Sequence, residues 1–468
     1  MQKLTFGVIV GNRGFFPDAL AKEGREDMLA QLKAMGIGSV ALTSEQTKHG
    51  SVETFADAKK CAKLFTEHSN EIDGIIVTLP NFGDEKGVTE SIKRSGLNVP
   101  VLIHAESDDM AKMTNANRRD SFCGKISVCN NLNQAMIPYT LTAKHTIGVK
   151  SADFKKDLEK FASVCAIVKG LRNLRFGAIG ARTGAFNTVR YSEKLLEANG
   201  IAIETIDLSE ILGKVAKIND NDALLKAKLN AITSYINTDN VPNDSIMKMA
   251  KFGLVIDNWM KDLDLRGSAI QCWTSLQEFF GIMPCTLMSM MSESLLPSAC
   301  EVDIAGLLGM YILQQASQTP SAILDWNNNY GDDPDKCVVF HCSNLPKSFF
   351  KTTEMDYNAI IGSVMGKSCS YGTVSGKIKP GPATYCRIST NDRNGNISAY
   401  VGEGKFVDCD IESFGGYGVM EIPNMQMLMQ HICKFGFEHH VAVSMSNYAA
   451  AINEALTNYM NWNVYLHQ

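Results

Sequence analysis

The sequence predicts an α/β protein built from two doubly wound, parallel-sheet domains of the Rossmann type, followed by a β-rich, barrel-like C-terminal domain. In the first third of the chain, short β-branched runs alternate with amphipathic helical stretches, which is typical of βαβ units. The pattern restarts after residue 165, and after residue 346 it gives way to short strand-like runs broken by Gly, Pro and Asn. Because 468 residues are too many for one hydrophobic core, we expect three domains, at residues 1–165, 166–346 and 347–468.

The predicted strands and helices follow this pattern along the chain. In the first domain, helical stretches separate apolar strand runs at residues 4–10, 74–79 and 100–105. In the second domain, RFGAIGAR predicts a strand, SEKLLEANG a helix and IAIETIDL the next strand. The third domain contains the broken runs YGTVSGKIKPGPATYCRIST, NGNISAYVGEGKFVDCDI and SFGGYGVMEI, which predict antiparallel strands and a small barrel.

Composition and charge limit the class of protein. The net charge is −5, and Lys and Arg are scattered among Asp and Glu, so no basic stripe favours nucleic acid. No stretch approaches the ~20 apolar residues that span a bilayer, and the first residues lack the features of a signal peptide. The thirteen cysteines follow no framework spacing, which predicts buried, reduced thiols. We therefore expect a cytoplasmic protein without nucleic-acid or membrane partners.

Polar side chains follow several of the predicted parallel strands. Arg13, Asn81 and His104 come just past strand ends, where open α/β sheets bind ligands. Arg13 could bind sugar hydroxyls or an anionic group, or it could be an ordinary paired arginine. The nearby turn GNRGFFP lacks the full G-x-G-x-x-G fingerprint, so a dinucleotide site is disfavoured.

Glu301 and Asp303 interrupt an otherwise apolar stretch in the second domain. Charged side chains rarely bury unless they are paired or bind a metal ion. An alternative is that Glu301 lies in the first turn of a helix, where the helix dipole stabilises an acid. The stretch alone leaves both interpretations open.

Asp325 and His341 each end an apolar run, SAIL and CVVF respectively, sixteen residues apart. We predict two adjacent parallel strands whose ends direct both side chains into one crevice. Carboxylate and imidazole donors suit Mn²⁺, Co²⁺ or Mg²⁺ better than a structural zinc site, and no Cys-x₂-Cys pair occurs. Near the C terminus His439 and His440 adjoin, and on a strand only one of two neighbours faces a given side.

Four segments resemble the L-fucose isomerase and L-arabinose isomerase superfamily: IQCWTSLQ, ACEVDIAGLLGMYIL, ILDWNNNYGDDPDKCVVFHC and FGFEHHVAVS. The resemblance covers the order of all three domains. It implies a metal-dependent aldose–ketose isomerase acting through an enediol, with one divalent ion, usually Mn²⁺, on two carboxylates and one or two histidines. It also implies a homo-oligomer, commonly a hexamer, in which the N-terminal domain of a neighbouring subunit completes the site.

The resemblance also implies roles for individual residues. Glu301 and Asp325 match the two metal-binding carboxylates, which double as the acid/base pair. His440 matches the C-terminal histidine ligand and His341 an additional ligand of arabinose isomerases, while a one-residue shift would exchange His439 with His440. The implied substrate-binding side chains are Gln271, Trp273, Arg13, Asn81 and His439. For Gln271 and Trp273, simple core packing is the alternative.

The sequence motifs do not identify a single sugar substrate. Asp325 is of the fucose-isomerase type, whereas HHVAVS resembles the arabinose-type motif. We expect a fucose- or arabinose-like pentose or hexose, with a C6-modified, anionic hexose as the alternative. A non-catalytic sugar-binding protein is the alternative from another class, because paired α/β domains also build sugar receptors.

Overall fold

The structure is a computed structural model that describes residues 4–184 and 186–468. It divides into two compact units. The N-terminal unit comprises Met1–Lys169 with Glu454–Asn461, and the second unit comprises Gly170–Asn453 with Trp462–Gln468. Among the described residues, every helix is too short or too polar to span a bilayer.

The elements are numbered in chain order. The strands are β1 (Thr5–Val10), β2 (Gly38–Ala41), β3 (Gly74–Leu79), β4 (Val101–Ala105), β5 (Thr140–Leu141), β6 (Leu174–Ile179), β7 (Ile201–Ile206), β8 (Ser268–Ile270), β9 (Ser298–Cys300), β10 (Ser321–Asn329), β11 (Lys336–His341), β12 (Glu354–Tyr357), β13 (Tyr371–Lys377), β14 (Gly381–Asn391), β15 (Asn396–Val407), β16 (Gly416–Glu421), β17 (His440–Ser444) and β18 (Asn463–Leu466). The helices are α1 (Ala19–Ala34), α2 (Phe55–Glu67), α3 (Glu85–Ser95), α4 (Ser121–Gln134), α5 (Ala152–Leu171), α6 (Glu193–Ala198), α7 (Leu208–Val215), α8 (Ala223–Tyr235), α9 (Asn243–Asp262), α10 (Ser275–Phe279), α11 (Cys285–Glu293), α12 (Ile304–Ser317), α13 (Ala359–Met365), α14 (Met425–Phe435) and α15 (Ala449–Glu454).

The N-terminal unit is built on a parallel sheet of order β2-β1-β3-β4-β5. Separate hydrophobic clusters cover its two faces. Because both faces are covered, its central strands are continuous apolar runs, and β3 is buried at every residue. Tyr459, from the C-terminal segment, shares a 2.8 Å hydrogen bond with Thr140 at the end of this sheet. The predicted doubly wound domain is confirmed.

His104 corrects one expectation for this unit. It lies inside β4, not past its end, and is fully buried. One ring nitrogen lies 2.9 Å from the Thr78 hydroxyl, and the other lies 2.7 Å from the backbone oxygen of Ile147. Because both nitrogens are satisfied within the unit, this histidine is a core residue, not a ligand-facing one.

The second unit contains a parallel sheet of order β7-β6-β8-β9. Its carboxyl edge is where β6, β8 and β9 run into the loops that carry Gly180, Gln271 and Glu301. Ligands bind at this edge in open α/β sheets. The restart of the α/β pattern that the sequence predicts is confirmed.

The second unit also contains a closed β-barrel. Strands β16, β11, β10, β17, β14 and β15 pair antiparallel in that order, and β15 returns to β16. Closure leaves no unpaired edge in this ring of strands. The predicted barrel is confirmed, but β10 and β11 come from before residue 346, and one hydrophobic cluster runs from Ile270 in the parallel sheet to Tyr385 in the barrel. The division into three domains stays a prediction.

Helix α12 joins the parallel sheet to the barrel. It is buried along almost its whole length and packs against β10, β14 and β17. A Cβ atom on Gly309 would lie 3.1 Å from Cβ of Ala442 and 3.2 Å from the backbone oxygen of Cys386, so glycine permits the close approach. The helix begins three residues after Glu301 and thereby holds the sheet edge beside β17.

Candidate active site

Glu301 lies immediately after β9, at the carboxyl edge of the parallel sheet. It and Val302 adopt positive φ angles of 58°, so the chain turns sharply before α12. The helix itself begins at Ile304, and Asp303 caps it by accepting a 2.8 Å hydrogen bond from the Gly306 amide. The alternative that Glu301 is a first-turn helix acid is therefore wrong.

Asp325 and His440 face each other across two barrel strands. They are direct partners in the antiparallel pairing of β10 with β17, so their side chains share one face. The Nε2 atom of His440 lies 3.4 Å from Oδ1 of Asp325 and 3.3 Å from Oε2 of Glu301. The structure thus brings together the two acids and the imidazole that the resemblance implies.

His341 joins this group from the end of β11, with Nε2 3.6 Å from Oε2 of Glu301. The prediction of adjacent parallel strands is wrong, because β10 and β11 are antiparallel. Only residues 330–335 connect them, and a parallel pair needs a crossover of about a dozen residues or more. The side chains nevertheless converge, since Asp325 lies within β10 and His341 lies at the end of β11.

His439 lies on the open side of the centre. Its Nε2 atom is 3.6 Å from Oδ1 of Asp325, and its side chain is 42% exposed, whereas that of His440 is 2% exposed. Two of the histidine-containing groups at this centre have ligand atoms within 4.8 Å of one another: Glu301, His341 and His440, and Asp325, His439 and His440.

Two carboxylate oxygens at the centre could hold a cation. Oε2 of Glu301 and Oδ1 of Asp325 are buried without a hydrogen-bond partner. An unpaired buried oxygen is costly unless something positive completes it. Carboxylate oxygens and imidazole nitrogens form a donor set that fits a divalent ion such as Mn²⁺, Co²⁺ or Mg²⁺.

The local environment shifts the pKa values of Glu301 and Asp325 in opposite directions. Burial alone would raise the pKa of Glu301, but the neighbouring His341 and His440 outweigh it and lower the pKa. Burial raises the pKa of Asp325, although the same two histidines oppose the shift. Carboxyl groups with pKa values moved in opposite directions are suited to different protonation states.

A buried network orients His440; the sequence singles out its member Asp303 but not the partner Arg387. Asp303 accepts from Nδ1 of His440 at 2.8 Å and from Arg387 at 2.5 and 3.2 Å. Arg387 also contacts Glu438 at 3.1 Å, and its side chain is fully buried. Burial alone would raise the pKa of Asp303, but Arg387 and His440 hold it well below its usual range. The available signal was a charged residue inside the apolar strand run YCRIST.

Trp273 and Gln271 have defined partners at the sheet edge. The Trp273 indole donates a 3.0 Å hydrogen bond to Oε1 of Glu301. Gln271 accepts from the Ala181 amide at 2.9 Å and donates to Ser275 at 3.2 Å, so it holds the loop after β6. Their contacts with a sugar stay predictions.

Phe186, on the loop after β6, was not singled out from the sequence. Its ring packs edge-on against Trp273 at 5.7 Å and against His439 at 5.6 Å. It therefore forms an apolar wall beside the polar centre.

Arg13 and Asn81 both lie in the N-terminal unit. Arg13 pairs with Glu85 and lies 4.4 Å from the centre of the Phe82 ring. Asn81 is buried and donates a 2.6 Å hydrogen bond to Asn12. Their contribution to a neighbouring subunit's site stays a prediction.

A cleft of about 750 Å³ has Val302 and Glu438 in its wall, each of which adjoins a residue of the centre in the chain, whereas Glu301, Asp325 and His440 do not line it. Three arginines also line it: Arg182, Arg190 and Arg393. The wall of the cleft contains fewer acidic residues than arginines.

Those acids are Asp392 and Glu438. Glu438 is already paired with Arg387. The residues that line the cleft therefore carry surplus positive charge, which favours an anionic ligand.

Two sequence families match this chain. One, described as fucose/sulfoquinovose isomerase, N-terminal domain, matches residues 7–172, and the other, described as L-fucose isomerase, C-terminal domain, matches residues 339–467. The sulfoquinovose isomerase of Alkalicoccus urumqiensis is 22% identical over 391 residues, which cover 82% of this chain and 84% of that protein. The sulfoquinovose isomerase of Priestia aryabhattai is 21% identical over 345 residues, which cover 73% of each.

Fold, site and matches together define an enzyme of the aldose–ketose isomerase class. The chain belongs to the L-fucose isomerase and L-arabinose isomerase superfamily, as the resemblance implied. The alternative of a non-catalytic sugar-binding protein does not hold.

Proposed function

We propose that this enzyme is a metal-dependent isomerase of a hexose that carries an anionic group at C6, sulfoquinovose being the first candidate. The convergence of Glu301, Asp325 and His440 on one point, with two unpaired carboxylate oxygens, carries the proposal of a metal site. Glu301, Asp325 and His440 would hold the ion, with His341 or His439 as the additional ligand. Mn²⁺ is the expected ion, with Co²⁺ or Mg²⁺ as substitutes.

The reaction moves a carbonyl between C1 and C2 of the sugar. One carboxylate would remove the proton from the carbon next to the carbonyl, and the resulting enediol would be reprotonated at the neighbouring carbon. A bound divalent ion would act as a Lewis acid on the sugar's carbonyl and hydroxyl oxygens. Phe186 and Trp273 would cover the sugar's apolar face and reduce access of water.

The cleft supports the choice of an anionic substrate. Arg182, Arg190 and Arg393 line it together with Val302, the residue that follows Glu301 in the chain. Guanidinium groups bind sulfonate, phosphate or carboxylate through paired N–H donors. A neutral fucose- or arabinose-like sugar would leave these charges unused. The named activity of the relatives supports the same choice.

A sugar panel tests the substrate. Sulfoquinovose, glucose 6-phosphate, L-fucose, and L- and D-arabinose are assayed for ketose formation, and sulfoquinovose is expected to have the highest kcat/KM. Arg393→Gln should raise KM for the anionic sugar about 10-fold, because about 1.4 kcal/mol of binding is lost, while Arg266→Gln, an exposed arginine outside the cleft, should change nothing. Preference for a neutral sugar would contradict the proposed substrate but not the isomerase reaction.

Chelation and substitution test the metal centre. EDTA should abolish turnover and Mn²⁺ should restore it. Glu301→Gln should lower kcat about 100-fold or more with an unchanged circular dichroism spectrum, because the amide keeps an oxygen for the Trp273 hydrogen bond. The control is Glu278→Gln, an exposed acid. Metal-independent turnover, or full activity of the Glu301 variant, would reject the mechanism.

The proposal includes a homo-oligomer, with a hexamer as the expected size, in which Arg13 and Asn81 reach a neighbouring subunit's centre. Both residues lie past strand ends of the N-terminal parallel sheet, where ligands bind in this fold. Sedimentation velocity measures the assembly. A monomeric, fully active enzyme would exclude shared sites.

A further inference from the structure

Three cysteines converge beside the candidate active site, on segments far apart in the chain. Cys285 begins α11, Cys300 ends β9 and Cys342 follows β11. Their three Sγ atoms all lie within 4.8 Å of one another. Cys285 and Cys300 are fully buried, Cys342 is half-buried, and none forms a disulfide.

The spacing of the sulfur atoms suits a common ion. Three thiolates bound to one ion at about 2.3 Å lie about 3.8 Å apart. Shifts of less than about 1 Å would bring the three Sγ atoms to that spacing from the distances in this structure. Half-buried Cys342 provides an entry path to the two buried thiols.

The donor set differs from that of the isomerase centre. Thiolates prefer soft ions, whereas Mn²⁺ and Mg²⁺ prefer carboxylates and imidazole. We propose that Cys285, Cys300 and Cys342 form a second metal site, for a thiophilic ion such as Zn²⁺ or Cu⁺. Binding replaces the thiol protons, which pass to the buffer.

The placement of this thiol site gives it a positioning role. Cys300 precedes Glu301 in the chain, and Cys342 follows His341. The His341 ring lies between the two sites, with Nε2 3.6 Å from Glu301 and Nδ1 3.6 Å from Cys342 Sγ. A fourth buried thiol, Cys272, has its Sγ within 4.8 Å of both Cys300 Sγ and a Glu301 oxygen. An ion on the thiol site would therefore fix the two segments that carry Glu301 and His341.

Cadmium is the probe for the test. Reduced, metal-free protein titrated with Cd²⁺ should develop a thiolate-to-metal charge-transfer band that saturates at one equivalent. Cys285→Ser and Cys300→Ser should each weaken Cd²⁺ binding by about 100-fold or more. Cys337→Ser is the matched control, because Cys337 is a buried cysteine on β11 outside the group. Excess Mn²⁺ should leave the band in place, because Mn²⁺ prefers oxygen and imidazole ligands.

Two further measurements keep the thiol site separate from the isomerase proposal. Glu301→Gln should retain the charge-transfer band, so a failure of the proposed reaction leaves this test intact. Cadmium NMR of the unmodified protein reports sulfur coordination without any substitution, which covers the case of a serine variant that does not fold. No sulfur-ligated resonance in the wild type, or a band that survives in the Cys285→Ser, Cys300→Ser double variant, would overturn the proposal.

Discussion

Asp303 orients His440 through a hydrogen bond to the ring nitrogen Nδ1, and Arg387 in turn pairs with Asp303. A histidine that binds a metal through one nitrogen commonly donates its other N–H to a carboxylate, and this contact fixes the ring. Asp303 stood out in the sequence only as a charge in an apolar stretch. Its partner Arg387 lies 84 residues away in the chain, so no local pattern could pair them.

Asp303→Asn tests this orientation. Asparagine still caps α12, but it loses the charge that faces His440 and Arg387, so Mn²⁺ affinity should fall about 10- to 100-fold by isothermal titration calorimetry. Glu438→Gln is the matched control, since it removes the other partner of Arg387 without touching His440. It should lower stability and leave Mn²⁺ affinity unchanged. Equal affinity in the Asp303 variant would refute the positioning role.

His104 makes the N-terminal unit sensitive to acid. Burial lowers the pKa of its imidazole to about 3. Below about pH 6.5 the unfolded chain therefore binds a proton that the folded chain does not, and the free energy of unfolding falls as the pH drops toward 3. Between pH 7 and pH 5 the loss from this group reaches up to about 2 kcal/mol.

Urea unfolding of wild type and His104→Gln at the two pH values measures this loss. The variant should lose less stability on acidification than the wild type. His68→Gln, at a histidine of the same unit whose side chain is 39% exposed, is the control and should match the wild type. Identical pH dependence in the His104 variant would show that the buried imidazole is not responsible.

At the scale of elements, helix α4 shows how a glycine sets a packing distance. A Cβ atom on Gly124 would lie 2.0 Å from the backbone oxygen of Phe82, so the helix could not keep its present contact with that loop. Gly124→Ala should destabilise the protein by about 1–3 kcal/mol. Gly213→Ala, on α7 where a Cβ meets nothing within 4 Å, should be neutral or stabilising by up to about 1 kcal/mol.

Thermal unfolding followed by circular dichroism compares the two glycine variants. Helix propensity favours alanine equally at both positions, so the difference between them isolates the contact with Phe82. If Gly124→Ala were as stable as Gly213→Ala, α4 would not be held at that distance.

The hairpin of β10 and β11 shows what element patterns can and cannot predict. The sequence predicts a strand for each apolar run, and both strands are present. Their relative direction was predicted wrongly, because an apolar run carries no sign of the strand's direction. The six connecting residues, 330–335, were the available evidence for a hairpin.

At the scale of the whole molecule, a bound metal ion should raise the free energy of unfolding of the second unit. Its proposed ligands come from the edge of the parallel sheet and from the barrel, so an ion that binds only the folded state stabilises both. Mn²⁺ at about 100 times its Kd should raise the free energy of unfolding by about 2.7 kcal/mol.

Chemical unfolding with and without Mn²⁺ measures this stabilisation. EDTA should reverse the effect, and Asp325→Asn should remove it. Asp333→Asn, which removes the charge that pairs with Lys336, should retain it. Unchanged stability of the wild type with Mn²⁺ would contradict a cation site between sheet and barrel.

From the sequence alone, the fold class and the superfamily follow, and most of the side chains that converge at the centre can be named as candidates. Strand and helix periodicity are local properties, and Glu301, Asp325, His341 and His440 stand out because polar groups rarely end apolar runs without a partner. Only the tertiary structure shows the barrel that crosses residue 346, the buried Asp303–Arg387 pair and the meeting of three cysteines. These features depend on contacts between segments that are far apart in the chain. The local sequence around one residue does not indicate which distant residue it will contact.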